Sequence, residues 1–280
     1  ATIKVDVSSV LPTEEDKALT VAVNVKNGIS DFTTDFVPVY VAAASGPVLP
    51  DGALKGEFSV SATKKVHFSQ GNLYWDGDSF ELETNQYDVQ SSWSTSHVSY
   101  FYWGKTASVA YDNTYSDGSA DGSDVFFTNA TTETAKSDFT VNGVTGKYRT
   151  LSKGEWLYLI NKSGDENIRT GKYKYGVTVC GNANCLILAP DDFEGTIAES
   201  YDAAAWATAE AAGLVCLPAA GSRNKYGSIS SSGVSGNYWS SSANGKDNAY
   251  YMVFDSGSVY PQMNSTRNYG YSVRLVTEVK

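Results

Sequence analysis

The sequence predicts an α+β chain made mostly of short strands, with two helices and a β-rich N-terminal extension. Three observations carry that reading. Residues 236–276 form a series of aromatic and β-branched stretches cut by turn signals. Ser152-x-x-Glu155 has the form of a helix-capping box. Residues 201–212 are Ala-rich, with Trp206 as the apolar anchor of a helix.

Composition narrows the function classes. The chain has 280 residues, enough for one large or two small domains. Charged residues make up only 19%, against 41% hydrophobic, with 19 Tyr and 25 Gly, which is a β-leaning and loop-rich balance. A net charge of −10 argues against a nucleic-acid partner, because phosphate binding needs clustered Lys and Arg. No apolar run approaches the roughly 20 residues of a membrane span. Abundant Ser, Thr, Asn and Tyr with little Lys and Glu suits an exported or cell-surface protein.

Taken in order, residues 1–52 form a strand-rich extension or subdomain, and residues 53–280 the main domain. The extension holds three alternating runs, at 2–7, 18–25 and 36–43, and Pro50-Asp51-Gly52 closes it. It offers a surface for oligomerisation. Residues 57–90 read as a β-meander turning at Gln70-Gly71 and Asp76-Gly77. Trp93, Tyr100, Phe101, Tyr102 and Trp103 include core anchors. The acidic stretch 112–124 lacks the EF-hand spacing and reads as a solvated loop.

The first helix starts at Ser152, carries Trp156, Leu159 and Ile160 at helical spacing, and ends at Gly164. A hairpin follows over 173–189, then the Ala-rich helix, with Gly213 as its cap. Cys180 and Cys185 bracket the Gly-Asn-Ala-Asn turn of that hairpin, either as a disulfide or as two free thiols. Their spacing is not Cys-x2-Cys, and His67 and His97 lie far away in sequence, so no metal site is expected. Cys216 reads as a small buried apolar residue.

In 236–276, strands are expected near 237–242, 248–254, 258–262 and 271–277, with turns at Asn244-Gly245 and Asp255-Ser256-Gly257. Residues i and i+2 of a strand share a face. Tyr250, Met252 and Phe254 then point to the core, joined by Val259 and Val273. Tyr251, Val253 and Asp255 point outward, with Ser258 and Tyr260 across the turn. This outward face mixes Tyr, Ser, Asn and Asp, as antibody-like surfaces do: Tyr gives area at small entropy cost, Ser and Asn give adaptable hydrogen bonds. Substitutions on it should be tolerated by the fold.

The segment Tyr148-Arg149-Thr150-Leu151-Ser152-x-x-Glu155-Trp156 resembles the Arg-Leu-Pro-Thr-Glu-x-Glu-Trp segment of C-type lectin folds of the formylglycine-generating-enzyme type. Leu217-Pro-Ala-Ala-Gly-Ser-Arg-Asn224, then Asn237-Tyr238-Trp239-Ser240-Ser241, then Gly270-Tyr271-Ser272-Val273-Arg274, is similar to the close of exported variable proteins of Bacteroides-type bacteria and their phages. Those proteins are diversified by diversity-generating retroelements. The resemblance spans about residues 53–277 and leaves 1–50 uncovered. It implies a C-type lectin-like ligand-binding domain on a cell surface or phage particle. It also implies copying errors at adenines, which from AAC-type codons reach the residues at Tyr251, Val253, Asp255, Ser258, Tyr260, Ser265, Tyr269 and Tyr271 but not Met263.

The candidate ligand-binding residues are Asn237, Asn244, Asp247, Tyr251, Val253, Asp255, Ser258, Tyr260, Met263, Ser265, Asn268, Tyr269 and Tyr271. The expected function is non-enzymatic recognition or adhesion, with a protein or glycan on another cell as partner and no cofactor. Formylglycine-type chemistry needs a late cysteine pair, and no cysteine follows Cys216. A calcium lectin's Glu-Pro-Asn and Trp-Asn-Asp motifs are absent. A calcium-independent glycan-binding lectin and a fimbrial or other structural surface subunit are the alternatives.

Overall fold

The computed structural model describes residues 49–103, 140–160 and 175–279, apart from 91, 93, 95, 182, 225 and 246, together with four short strands between Lys17 and Val41. The chain divides into two compact units, Ala1–Val48 and Leu49–Val279. In the first unit, β1 (Lys17–Val21), β2 (Asn24–Lys26), β3 (Asp31–Thr33) and β4 (Val37–Val41) pair antiparallel, β1 with β4 and β2 with β3. The run expected at 18–25 is therefore two strands. The run expected at 2–7 lies outside the described residues, as do Trp93, the 112–124 acidic stretch and the expected helix stop at Gly164.

The second unit is α+β and mostly β. Its early strands are β5 (Phe58–Ser59), β6 (Lys65–Phe68), β7 (Leu73–Trp75), β8 (Phe80–Leu82), β9 (Phe101–Tyr102), β10 (Thr140–Val141), β11 (Val144–Thr145) and β12 (Arg149–Thr150). Helix α1 (Lys153–Ile160) follows, then β13 (Tyr175–Cys180), β14 (Ala183–Leu188), β15 (Ser200–Tyr201), α2 (Ala203–Ala211) and β16 (Val215–Pro218). The chain closes with β17 (Ser222–Arg223), β18 (Ile229–Ser230), β19 (Gly236–Asn244), β20 (Asn248–Phe254), β21 (Val259–Thr266), β22 (Gly270–Tyr271) and β23 (Leu275–Glu278).

The expected 57–90 meander is split. β5 and β6 enter a sheet of order β12-β23-β6-β5, while β7 and β8 form a separate hairpin that Val98 extends through an antiparallel bridge with Trp75. Val276 of the C-terminal strand lies opposite Phe68, so the two ends of the unit are sewn together. A hairpin-by-hairpin reading cannot see this, because the partner is about 200 residues away in sequence.

Both helices form where their caps lie. Ser152 Oγ accepts the Glu155 N–H at 3.2 Å, and Glu155 Oε2 accepts the Ser152 N–H at 2.8 Å, completing the capping box. Trp156, Leu159 and Ile160 are buried beneath α1. Asp202 caps α2 through its carboxylate and the Ala205 N–H. Ala212 is the C-cap, and Gly213 follows at φ +90°, the left-handed position that only glycine takes without strain.

Three cores result. The first packs Phe58, Phe68, Trp156, Leu186, Leu217, Met252 and Phe254. The second packs Leu73, Phe101, Trp103, Trp239, Ala249 and Val273. The third packs Cys180, Cys185, Ile187, Trp206, Leu214 and Cys216 under α2. The sheet β19-β20-β21 serves two of them, Met252 and Phe254 on one face, Trp239 and Ala249 on the other. Tyr250 is only half-buried, which corrects its expected core position: its ring lies 4.3 Å from Lys153 Nζ at the start of α1.

Candidate functional site

The candidate site is one face of the antiparallel sheet β19-β20-β21. The register places Asn237 opposite Val253 and Trp239 opposite Tyr251. On the other side, Tyr260 lies opposite Val253, Met263 opposite Tyr251 and Ser265 opposite Ala249. Directly opposed residues share a face. Tyr251, Val253, Tyr260, Met263 and Ser265 are thereby brought together.

Strict alternation from Tyr260 would place Gln262, not Met263, on this face. The register shifts between Tyr251 and Val253, and the extra residue is absorbed at Pro261-Gln262. Met263 then returns to the face. Proline has no N–H to give to a ladder and is tolerated on edge strands and at bulges. β21 is an edge of its sheet.

Burial across the face is graded. Trp239 and Tyr271 are buried, Tyr251, Val253, Ser265 and Tyr269 are half-buried, and Tyr260 and Met263 are exposed at 48% and 44%. The floor is aromatic. The rings of Trp239 and Tyr271 lie 4.4 Å apart, Tyr251 and Tyr271 4.6 Å, and Tyr269 and Tyr271 6.0 Å. Trp239 Nε1 donates to the Phe101 carbonyl at 2.7 Å, fixing the indole in place. The Tyr271 hydroxyl meets those of Ser265 and Tyr251, and burial pushes its pKa well above the usual phenol value. Burial raises the Tyr251 pKa too. Both phenols stay neutral hydrogen-bonding groups at ordinary pH.

Several expected face residues stand elsewhere. Asn237 is buried, and its amide donates to the Gly221 carbonyl and to Ser235 Oγ, both at 3.1 Å. It holds neighbouring backbone together and does not face solvent. Tyr271 is likewise floor, not surface. These two positions correct the sequence expectation: Tyr271 packs into the second core, and Asn237 is taken up by the Gly221 and Ser235 segments beside β19.

Asn244 and Asp247 flank the β19–β20 hairpin loop, whereas Asp255 and Ser258 sit at the β20–β21 loop. The seven residues of β20 separate these ends by about 20 Å at the usual strand rise. Asp255 Oδ1 accepts the Gly257 N–H at 2.9 Å, a turn-forming role. Asn268 Oδ1 accepts from Thr266 Oγ1 at 2.8 Å.

Arg267 carries a role that composition hides. It is buried, with Nη2 donating to the Gly245 carbonyl at 2.8 Å and Nε to the Asn248 carbonyl at 3.3 Å, and its guanidinium lies 4.3 Å from the Trp103 ring. It clamps the hairpin that ends the face. Its signal in the sequence is a single Arg within a Tyr/Ser/Asn stretch.

A second cluster lies away from the face. Cys180, Cys185 and Cys216 are all free and buried, and their Sγ atoms lie within 4.8 Å of one another. The Cys216 thiol donates to Cys180 Sγ at 3.8 Å. Hydrogen bonds from Cys185 and Cys216 pull the Cys180 thiol down, while burial pushes the Cys216 thiol up. The sequence suggested a pair, with Cys216 apart as filler. β16 brings the third thiol in by pairing with β14, Cys216 opposite Ile187. Among the described residues, no helix is long and apolar enough to cross a membrane.

A family model described as a domain of unknown function (DUF8237) matches residues 172–276. The match therefore begins at the β13–β14 hairpin, includes all three cysteines and ends with the candidate face. No curated protein and no solved structure matches the chain.

Proposed function

We propose that the β19-β20-β21 face is a ligand-recognition surface on a C-type lectin-like scaffold, of the kind diversified in retroelement variable proteins, and that the protein acts in recognition or adhesion without performing chemistry. Its ligand is a protein or glycan on another cell, met from the cell surface or a phage particle. One observation carries the reading. The bulge at Pro261-Gln262 returns Met263 to the face of Tyr251, Val253 and Tyr260, so an exposed Tyr and Met stand over a fixed aromatic floor. A rigid aromatic base with adaptable polar neighbours is the anatomy of a binding hot spot and its rim.

The test is a glycan and cell-surface-protein array probed with the full chain and with a Tyr260→Ala/Met263→Ala double variant. Recognition of a defined ligand by the wild type, lost in the variant, supports the reading. Equal binding by both places recognition elsewhere.

A further inference from the structure

We propose that Cys180, Cys185 and Cys216 form a binding site for one thiophilic d10 cation, Cu(I) or Zn(II), held through three thiolates. This site is separate from the recognition face and does not depend on it.

The geometry is that of a ligand set. Thiolate bonds to such ions run about 2.3 Å, which requires sulfur–sulfur separations of about 3.8 Å in a tetrahedral site and about 4.0 Å in a trigonal one. The Cys180 and Cys216 sulfurs lie 3.8 Å apart, and all three fall within 4.8 Å of one another. A disulfide would need about 2.05 Å. Three sulfurs from three different strands, β13, β14 and β16, converge on one point.

Softness of the donors selects the ion. Thiolate sulfur favours Cu(I) and Zn(II) over hard cations that prefer oxygen. The surroundings are apolar, with Ile187, Leu214 and Trp206 in the same core. Three donors in an apolar pocket satisfy Cu(I) fully, whereas Zn(II) takes a fourth ligand. A route in exists: a pocket of about 110 Å³ is lined by Cys180, Tyr87, Tyr201, Asp202 and Trp206.

A second observation concerns charge. Three thiolates around Cu(I) or Zn(II) carry net negative charge, which is costly to bury unless a cation is near. Arg274 is 1% exposed, and its hydrogen bonds run to the Gln70 carbonyl, Asn72 Oδ1 and Gln86 Oε1, none of them a carboxylate. Its Nε has no partner among the described residues. Gln86 Oε1 accepts from Arg274 Nη2 and from the Cys216 backbone N–H, both at 2.8 Å. Gln86 thus bridges the buried guanidinium to the Cys216 backbone, and Cys216 and Glu210 both act on its charge through space.

Binding involves no change of oxidation state. Up to three thiol protons leave, three metal–sulfur bonds form, and affinity falls as pH drops because protons compete.

The test uses the full chain, reduced and held anaerobically, with three free thiols confirmed by titration in denaturant. Cu(I) and Zn(II) are added separately against a colorimetric competitor, and sulfur-to-metal charge-transfer absorption is followed with Cd(II) as a third probe. One equivalent per chain is expected, with affinity reduced more than tenfold in Cys180→Ala and in Cys185→Ala. Circular dichroism checks that each variant remains folded. Cys180→Ser is the second variant, since Cys180 borders the pocket and tolerates change best. Preference for Cu(I) marks a closed three-coordinate site, and preference for Zn(II) a fourth ligand entering from the pocket. Absence of stoichiometric binding, or binding unchanged in folded Cys180→Ala or Cys180→Ser, overturns the proposal and leaves three thiols in ordinary packing contact.

Discussion

The indole of Trp239 and the ring of Tyr271 lie 4.4 Å apart at an interplanar angle of 42°, although they belong to strands of different sheets. The contact joins the second core to the proposed recognition face and divides that face into a fixed floor and an exposed surface. Substitutions on the two sides of the division should behave differently.

Tyr271→Ala should cost about 3–5 kcal/mol, the range for truncating a buried aromatic. Tyr260→Ala, at an exposed position, should stay within about 0.5 kcal/mol. Denaturant unfolding of both variants checks this, and similar losses in the two would contradict the graded burial. Tyr251, half-buried against both rings, should fall between them. The whole face is thus less tolerant than alternation alone suggests.

Glu155 joins the capping box to an ion pair. Its two carboxylate oxygens accept from Arg149 Nη1 and Nη2 at 2.8 and 2.7 Å, while Arg149 Nε reaches Glu278 at 2.7 Å. Glu155→Ala should cost about 2–3 kcal/mol, since it removes a cap and the two-point ion pair with Arg149, leaving that guanidinium with Glu278 and the Thr150 carbonyl. Ser152→Ala should cost about 1 kcal/mol. If chemical denaturation finds the two equal, the Arg149 contact contributes nothing beyond the cap.

Gly236 permits the close approach of β19 to β20. A Cβ there would lie 2.2 Å from the Phe254 ring, which is buried and held on all sides. Gly236→Ala should destabilise by about 1–3 kcal/mol through overpacking. An unchanged melting temperature would mean that Phe254 can move aside.

Glu83 gives a pH dependence with a definite sign. Its carboxyl is buried and sits 2.6 Å from His97 Nε2. Burial raises its pKa in the fold despite the opposing pull of His97. The folded state therefore binds more protons than the unfolded one just above the usual glutamate value of about 4.3, so this group's contribution falls as pH rises through that window. The stability of wild type relative to Glu83→Gln should decline from pH 4 upward. A relative stability that rises over this range would show the His97 contact dominating burial.

The helices were legible because their signals are local: a box spanning four residues and an Ala-rich stretch with one Trp. The strands of 236–276 were legible for the same reason, since Asn-Gly and Asp-x-Gly turns punctuate them. Three things were not. The pairing of Val276 with Phe68 is a long-range contact with no local signature. The bulge at Pro261-Gln262 breaks the two-residue period by which alternation works, and Pro261 was its one clue. Asn237 looks like a polar surface residue but is buried against the Gly221 carbonyl, because side-chain polarity does not reveal which buried carbonyls need a donor.

The recognition face is tested most directly by the dissociation constant of a ligand recovered from the array, measured for wild type, Tyr260→Ala/Met263→Ala and Tyr226→Ala. Tyr226 is the control, an exposed aromatic at 65% that lies outside the β19-β20-β21 sheet. The account predicts that the double variant binds more than tenfold more weakly while its unfolding midpoint stays that of wild type, and that Tyr226→Ala binds as wild type does. Unchanged binding by the double variant, or an equal loss in Tyr226→Ala, would contradict it.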